Sequence, residues 1–174
     1  QAKTGGTHLL ELRDVQYRGG QFYRLRVGDF AVWPDLKPSP NAIIEHEPND
    51  TVSEATLLSL GKPAFGHIEK PGALDHFRFT AKKNQWVRFR AYSRSGGSPA
   101  YIYLELLNKM GDIIAKANTE GNGQTILWHR LPADSDYTLR VEELIRRGGP
   151  RYAYQLITGV GNGAFTLKLK TDKN

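Results

Sequence analysis

The chain has no cysteine in 174 residues, which excludes disulfides and thiol chemistry. That absence does not place the compartment, because exported bacterial proteins also do without cysteine. No apolar run approaches the ~18 residues of a membrane span, and no signal-like apolar core is present. The expectation is a chain without membrane insertion. Enzyme signatures are missing as well. The five histidines (His8, His46, His67, His76 and His129) show no H-E-x-x-H spacing, and no G-x-S-x-G elbow accompanies them. The Gly-rich stretches lack the strand-to-helix context of a phosphate loop. Glu142 and Glu143 adjoin on an expected strand and point to opposite faces, which suits solvent exposure better than acid–base work. No active site is read, and the chain is expected not to be an enzyme.

A hydrophobic fraction of 39% with 10% aromatics is enough for a packed core, so general disorder is not expected. The net charge of +6 favours encounters with polyanions. With no nucleic-acid module or compact basic helix, nucleic acid is not an expected partner.

The segment from His8 to Gly20, closing with Tyr23-Arg24-Leu25, returns as Tyr137 to Gly149, closing with Tyr154-Gln155-Leu156. The copies lie about 130 residues apart and need only a short gap after Gly-Gly. Each reads as strand, Gly-Gly loop, strand. Because little strand-like sequence precedes the first copy, it reads as the last hairpin of a preceding module in a tandem array. The expected organisation is a hairpin over 1–33, a Pro-rich linker over 34–44, a sandwich over 45–159, and a terminal strand or next module over 160–174. An isolated hairpin is marginal in water, so residues 8–28 are expected to dock on the main sandwich or on a partner's sheet edge.

From Ala42 onward, strand-like segments recur roughly every ten residues, at 64–69, 75–81, 85–93, 100–107, 112–117, 124–130, 136–142 and 152–158. Gly, Asn and Pro turns separate them. The fold class is all-β, an antiparallel, jelly-roll-like sandwich. At most one short helix is expected near 52–57, where Thr51 and Glu54 have capping-box spacing. Alternation turns Phe77, Phe79, Val87, Phe89, Leu104, Leu106, Leu139 and Val141 inward.

An ordered series of motifs carries a family likeness: Glu45-His46-Glu47-Pro48-Asn49-Asp50-Thr51, then Gly66-His67-Ile68 with Gly72-Ala73-Leu74-Asp75-His76-Phe77-Arg78-Phe79. Leu104 to Gly111, Leu131-Pro132-Ala133-Asp134-Ser135-Asp136-Tyr137-Thr138-Leu139-Arg140-Val141 and Tyr152 to Leu156 complete it. In that order, residues 45–159 resemble the bacterial pre-peptidase C-terminal domain. This is a small calcium-associated β-sandwich found beside secreted peptidases, related to the collagen-binding domains of collagenases. By the same likeness, residues 2–28 resemble the tail of another copy. Three positions depart from the pattern. Ala73 stands where the family has an Asp, Asn118-Thr119-Glu120 replaces an Asp-rich turn, and Ser135-Asp136 replaces the Gly before Tyr137.

Calcium takes six to eight oxygen ligands on flexible loops. Glu45, Glu47, Asn49 and Asp50 offer four oxygen-bearing side chains within six residues. The resemblance implies that this arm ligates calcium and that Asp75 completes the shell, which Ala73 cannot do. The competing reading has Asn49 and Asp50 capping the turn. His67 and His76 could approach each other across strands beside Asp75 or His46, although strand-face histidines are the commoner reading. Arg146-Arg147-Gly148-Gly149 and Arg18-Gly19-Gly20 read as hairpin loops rather than anion sites.

Trp86, Arg88, Arg90, Tyr92, Tyr101 and Tyr103 are expected to form an outward strip of rings and guanidiniums. Rings stack on sugars or pack on extended polypeptide, and arginines pair with sulfate or carboxylate. Collagen-binding relatives use a tyrosine-lined face, which the resemblance implies here. The functional expectation is a non-catalytic accessory module of an exported protein (secreted, periplasmic or on the cell surface). It would bind a polysaccharide or protein polymer, or neighbouring modules of its own chain. The alternatives are a structural spacer without ligand and an excerpt of a secreted hydrolase or peptidase.

Overall fold

The computed structural model describes residues 5–7, 9–11, 36–119 and 123–161. The expected N-terminal hairpin and its docking, and the expected terminal strand or next module over 160–174, lie outside the described residues apart from a few positions near the start and residues 160–161. The chain divides into two compact units, Gln1–Ala31 and Val32–Asn174. In the first, Leu9 and Leu10 stand exposed. The second carries every described strand.

Ten strands form two five-stranded sheets. They are β1 (Ile43–Ile44), β2 (Thr56–Leu57), β3 (Ala64–His67), β4 (Leu74–Ala81) and β5 (Trp86–Tyr92), followed by β6 (Ile102–Leu107), β7 (Ile113–Ala117), β8 (Gln124–Arg130), β9 (Ser135–Glu143) and β10 (Ala153–Gly161). One sheet, here the first, runs β1-β3-β10-β5-β8, and the second runs β2-β4-β9-β6-β7. The long strands pair antiparallel as the alternation implies. The two-residue strands β1 and β2 lie parallel to β3 and β4, making both sheets mixed rather than purely antiparallel. Their brevity left them no readable period. The helix expected near residues 52–57 is a single 3-10 turn, Val52–Glu54. The capping-box pair meets side chain to side chain instead, with the Thr51 hydroxyl donating to Glu54 at 2.8 Å.

All eight residues assigned inward from their alternation are buried, at 0–1% exposure. Phe79 is their hub, 5.4 Å from Phe89 of the facing sheet and stacked on Tyr137 at 5.8 Å. Tyr137 is buried to its hydroxyl, which donates to the Ala133 carbonyl at 2.8 Å and so ties the 131–134 turn to the start of β9. Tyr137→Phe should therefore cost about 1–1.5 kcal/mol, the net worth of one buried hydrogen bond. Urea denaturation with an unchanged slope would show it. A loss below about 0.3 kcal/mol would mean the turn holds without the phenol.

Candidate functional site

At one end of the sandwich the core gives way to polar side chains held between the sheets. Asp75 follows the inward row of β4 (75, 77, 79, 81) and pairs with Val141. Tyr154 follows the inward row of β10 and pairs with Gly66 of β3. Both are completely buried. Gly66 has no side chain, and the space its Cβ would take is filled by the Glu45 carboxylate and the Tyr154 hydroxyl, each 2.4 Å from it. Glu45 follows β1, and its backbone N–H donates to the Phe65 carbonyl at 3.0 Å. The pairing of β1 with β3 therefore delivers this carboxylate to the site.

The Tyr154 hydroxyl lies 2.5 Å from Asp75 Oδ2 and 3.0 Å from Glu45 Oε2. Glu45 Oε1 accepts the His67 backbone N–H. Asn49 donates through Nδ2 to Glu45 at 3.4 Å and through its backbone to Glu47 at 3.1 Å. Asn49 is itself buried, because its carbonyl accepts from the His76 backbone N–H at 3.1 Å and lies 2.9 Å from the His76 ring. Carboxylate oxygens of Glu45, Glu47 and Asp75 lie within 4.8 Å of one another. Among the described residues no other trio of His, Asp or Glu converges in this way. Two buried oxygens, Asn49 Oδ1 and Asp75 Oδ1, have no hydrogen-bond partner.

That electrostatic arrangement is poor without a cation. Burial, followed by the charge of Glu45, pushes the Asp75 carboxyl up to about 10. Glu45 is raised mainly by burial, and Glu47 by burial and then by Glu69. Near neutrality the Glu45–Asp75 pair keeps a proton. An all-oxygen set of three carboxylates and the Asn49 amide carbonyl, with two of its buried oxygens (Asn49 Oδ1 and Asp75 Oδ1) unpartnered, suits a hard divalent cation.

Of the five residues expected to hold metal, the structure brings four together: Glu45, Glu47, Asn49 and Asp75. Asp50 faces another way. It accepts the Leu74 N–H at 3.2 Å and pairs with Lys70 at 2.9 Å, which together hold its carboxyl below the usual range. It fastens the 45–50 arm to the turn before β4. His67 and His76 do not join the cluster. His67 packs its ring on Phe65, centroids 5.1 Å apart, on the outer side of the first sheet. Sequence reasoning missed Tyr154 and Gly66 as parts of this site. Their signal is the strand register, which the linear pattern does not contain.

The expected aromatic strip does not form one face. Trp86, Arg88, Arg90 and Tyr92 share the outer side of β5 in the first sheet, whereas β6 belongs to the second. Tyr103 faces outward there, paired with Glu142. Tyr101, just before β6, lies under Arg94 (4.0 Å to the ring centroid) and beside Arg147 at 5.6 Å. Arg147 is fixed by Glu143, bridged at 2.8 Å, and by the Pro99 carbonyl. Glu143, expected to be solvent-exposed, is buried instead. It sits on the inward row of β9 and takes up the Tyr101, Ile145 and Arg147 backbone N–H groups, so it organises the 143–149 loop.

What the strip loses at β6 it gains from β8. Trp128, half exposed at 51%, pairs with Arg88, whose guanidinium lies 5.4 Å from the Trp128 ring. Trp86 meets Trp128 edge-on at 6.5 Å. The alternation of 124–130 could have found Trp128. At the far end, Leu36 from the Pro-rich linker shares an open hollow of about 400 Å³ with Tyr92, Gly96, Gln155 and Ile157. The linker's Ser39 is hydrogen-bonded to Gln155 there.

Comparison with known proteins bears on the fold. No family model matches the chain. It is 34% identical over 108 residues to a probable subtilase-type serine protease of Deinococcus radiodurans, covering 58% of this chain but 14% of that protein. Among solved structures it is similar to the pre-peptidase C-terminal domain of a Bacillus anthracis collagenase. That match has a TM-score of 0.50 at 16% identity, over 66% of this chain and 99% of that one. A periplasmic inhibitor of g-type lysozyme from Aeromonas hydrophila aligns at a TM-score of 0.49 and 15% identity, over 69% and 99% of the two chains. The fold is that of a pre-peptidase C-terminal domain, as the motif series implies.

Proposed function

We propose that this chain is a calcium-braced, non-catalytic accessory module of a larger exported peptidase, tethering it to an extracellular polymer. The observation that carries the reading is the carboxylate cluster between the sheets, whose orphaned oxygens a cation would satisfy. The fold shared with a collagenase's pre-peptidase domain supports the accessory role. The likeness to a small part of a subtilase-type protease supports a peptidase as parent. A secreted, periplasmic or cell-surface setting accords with that parentage, and no helix among the described residues is long and apolar enough to cross a membrane.

In this reading Glu45, Glu47, Asn49 and Asp75 hold calcium, and Asp50 and Lys70 hold the arm in place. The ion replaces the proton shared at Glu45 and Asp75 and binds the two sheets at their polar end. Its work is structural. Adding calcium to metal-stripped protein should raise the melting temperature, by about 2.7 kcal/mol of stabilisation at a hundredfold excess over Kd. Asp75→Asn should abolish the response while melting close to the metal-free parent, because Asp75 already carries a proton there. An equal calcium response in that variant would sink the site.

A further inference from the structure

Among the described residues, the outer side of the first sheet carries charge of one sign only. Across the outward rows of β3, β10, β5 and β8 stand Arg88, Arg90 and Arg130, and no carboxylate. None of the three makes an ion pair among the described residues. The second sheet's outer side is mixed, with Arg140 bridged to Glu105 and Glu142 beside Tyr103. Instead of a carboxylate, Arg88 has the half-exposed Trp128 ring and Arg90 the ring and hydroxyl of Tyr92 as partners among the described residues.

The relief of this face is equally specific. Trp86 pairs with Arg130, and Arg88 with Trp128, so rings and guanidiniums alternate in a checkerboard. On the other flank, Trp86 and Arg88 pair with Gly161 and Gly159 of β10. A Cβ at Gly161 would have only Trp86 within 4 Å, and one at Gly159 would meet Arg88 at 3.7 Å. Among the described residues no side chain stands over the strand there, which leaves a trough with Trp86 and Arg88 as one wall. Glycine inside a strand marks a bulge, a tight bend or a place where a ligand or another chain approaches closely, and no bulge interrupts the pairing of β10 with β5 here. The face runs along β5 for about 20 Å at ~3.3 Å per residue.

We infer that this trough binds an extended anionic polysaccharide, with Trp86 and Trp128 packing on sugar faces and Arg88 and Arg130 pairing with its carboxylates or sulfates. Planar rings match the apolar faces of pyranose rings, and guanidiniums match planar or tetrahedral oxyanions. Charge complementarity selects an acidic glycan over a neutral one. This deepens the tethering reading and rests on it.

Tryptophan fluorescence titration with polygalacturonate and dextran sulfate tests the inference, with neutral dextran, oligo-dT and a triple-helical Gly-Pro-Hyp peptide as comparators. Both acidic glycans should bind at least about tenfold more tightly than neutral dextran and weaken about tenfold from low to high salt. A response to one alone assigns the anion as carboxylate or sulfate. The double variant R88Q/R130Q should lose about tenfold in affinity with its melting temperature unchanged, and Trp128→Ala should lose binding as well. Equal binding by the double variant, or tighter binding of oligo-dT, overturns the inference. Arginine-independent binding of dextran or the collagen-like peptide that Trp128→Ala abolishes would overturn the anionic ligand and leave the tethering reading standing. Silence toward all five polymers by folded protein would remove both.

Discussion

Gly66→Ala is expected to be among the most damaging single-methyl additions to this chain. Its Cβ would lie 2.4 Å from both Glu45 Oε2 and the Tyr154 hydroxyl, and 2.6 Å from Tyr154 Cζ. Neither neighbour has room to give, because Tyr154 is buried between the sheets and Glu45 is hydrogen-bonded to the His67 backbone. Overpacking alone costs about 1–3 kcal/mol, and breaking a buried polar network adds to it, so about 3 kcal/mol or more is expected. At a few degrees per kcal/mol for a domain of this size, the melting temperature should fall by roughly 10 °C. The calcium response should vanish with it. Gly159→Ala is the control, since its Cβ meets Arg88 at an ordinary 3.7 Å, and it should stay within about 0.5 kcal/mol of the parent. Indistinguishable melting curves for the two variants would show that Glu45 and Tyr154 are not held as described.

The second large effect is a pH dependence that calcium removes. Asp75 is raised to about 10 in the folded protein from an ordinary 3.8, by burial and then by Glu45. Above pH 4 the folded, metal-free state therefore holds a proton that the unfolded chain has released. Stability is complete below the unfolded value and declines as pH rises toward the folded one. The limiting slope is about 1.4 kcal/mol per pH unit. The window from pH 8 to 9 isolates this group. His67, His76 and His129 are all lowered by burial, so near pH 7, where the unfolded imidazoles are still partly protonated, they act in the opposite sense, and from pH 8 upward they are neutral in both states. Asp50 and Asp134 are lowered carboxylates, ionised throughout. Metal-stripped protein should lose stability across that window, whereas calcium-loaded protein should not. Denaturant midpoints at pH 8 and 9, with calcium or chelator, measure it. A flat profile without metal would mean that Asp75 ionises freely and is not a buried partner of Glu45.

Much of this was legible along the chain. The inward residues of β4, β5, β6 and β9 follow from strict alternation, since a strand with one buried face must place its apolar residues at every second position. The clustering of carboxyl and amide oxygens from Glu45 to Asp50 was legible because these side chains lie within six residues. Asp50 was assigned with its neighbours because adjacency does not reveal orientation. The bonds to Leu74 N and Lys70 turn it toward the β4 approach. The six-membered aromatic strip was divided because alternation gives a residue's side of its own strand and says nothing about which sheet that strand joins.

The sequence by itself determined the class of the fold, its eight longer strand segments, its core and the oxygen-rich character of the Glu45–Asp50 arm. These depend on local periodicity and composition. Only the tertiary structure decided that Gly66 makes room for Glu45, and that Tyr154, 79 residues beyond Asp75 in the chain, hydrogen-bonds its carboxyl group. It also set Trp128 rather than Tyr103 beside Trp86. Those outcomes depend on strand order and register, which arise from contacts between distant segments and leave no period in the sequence.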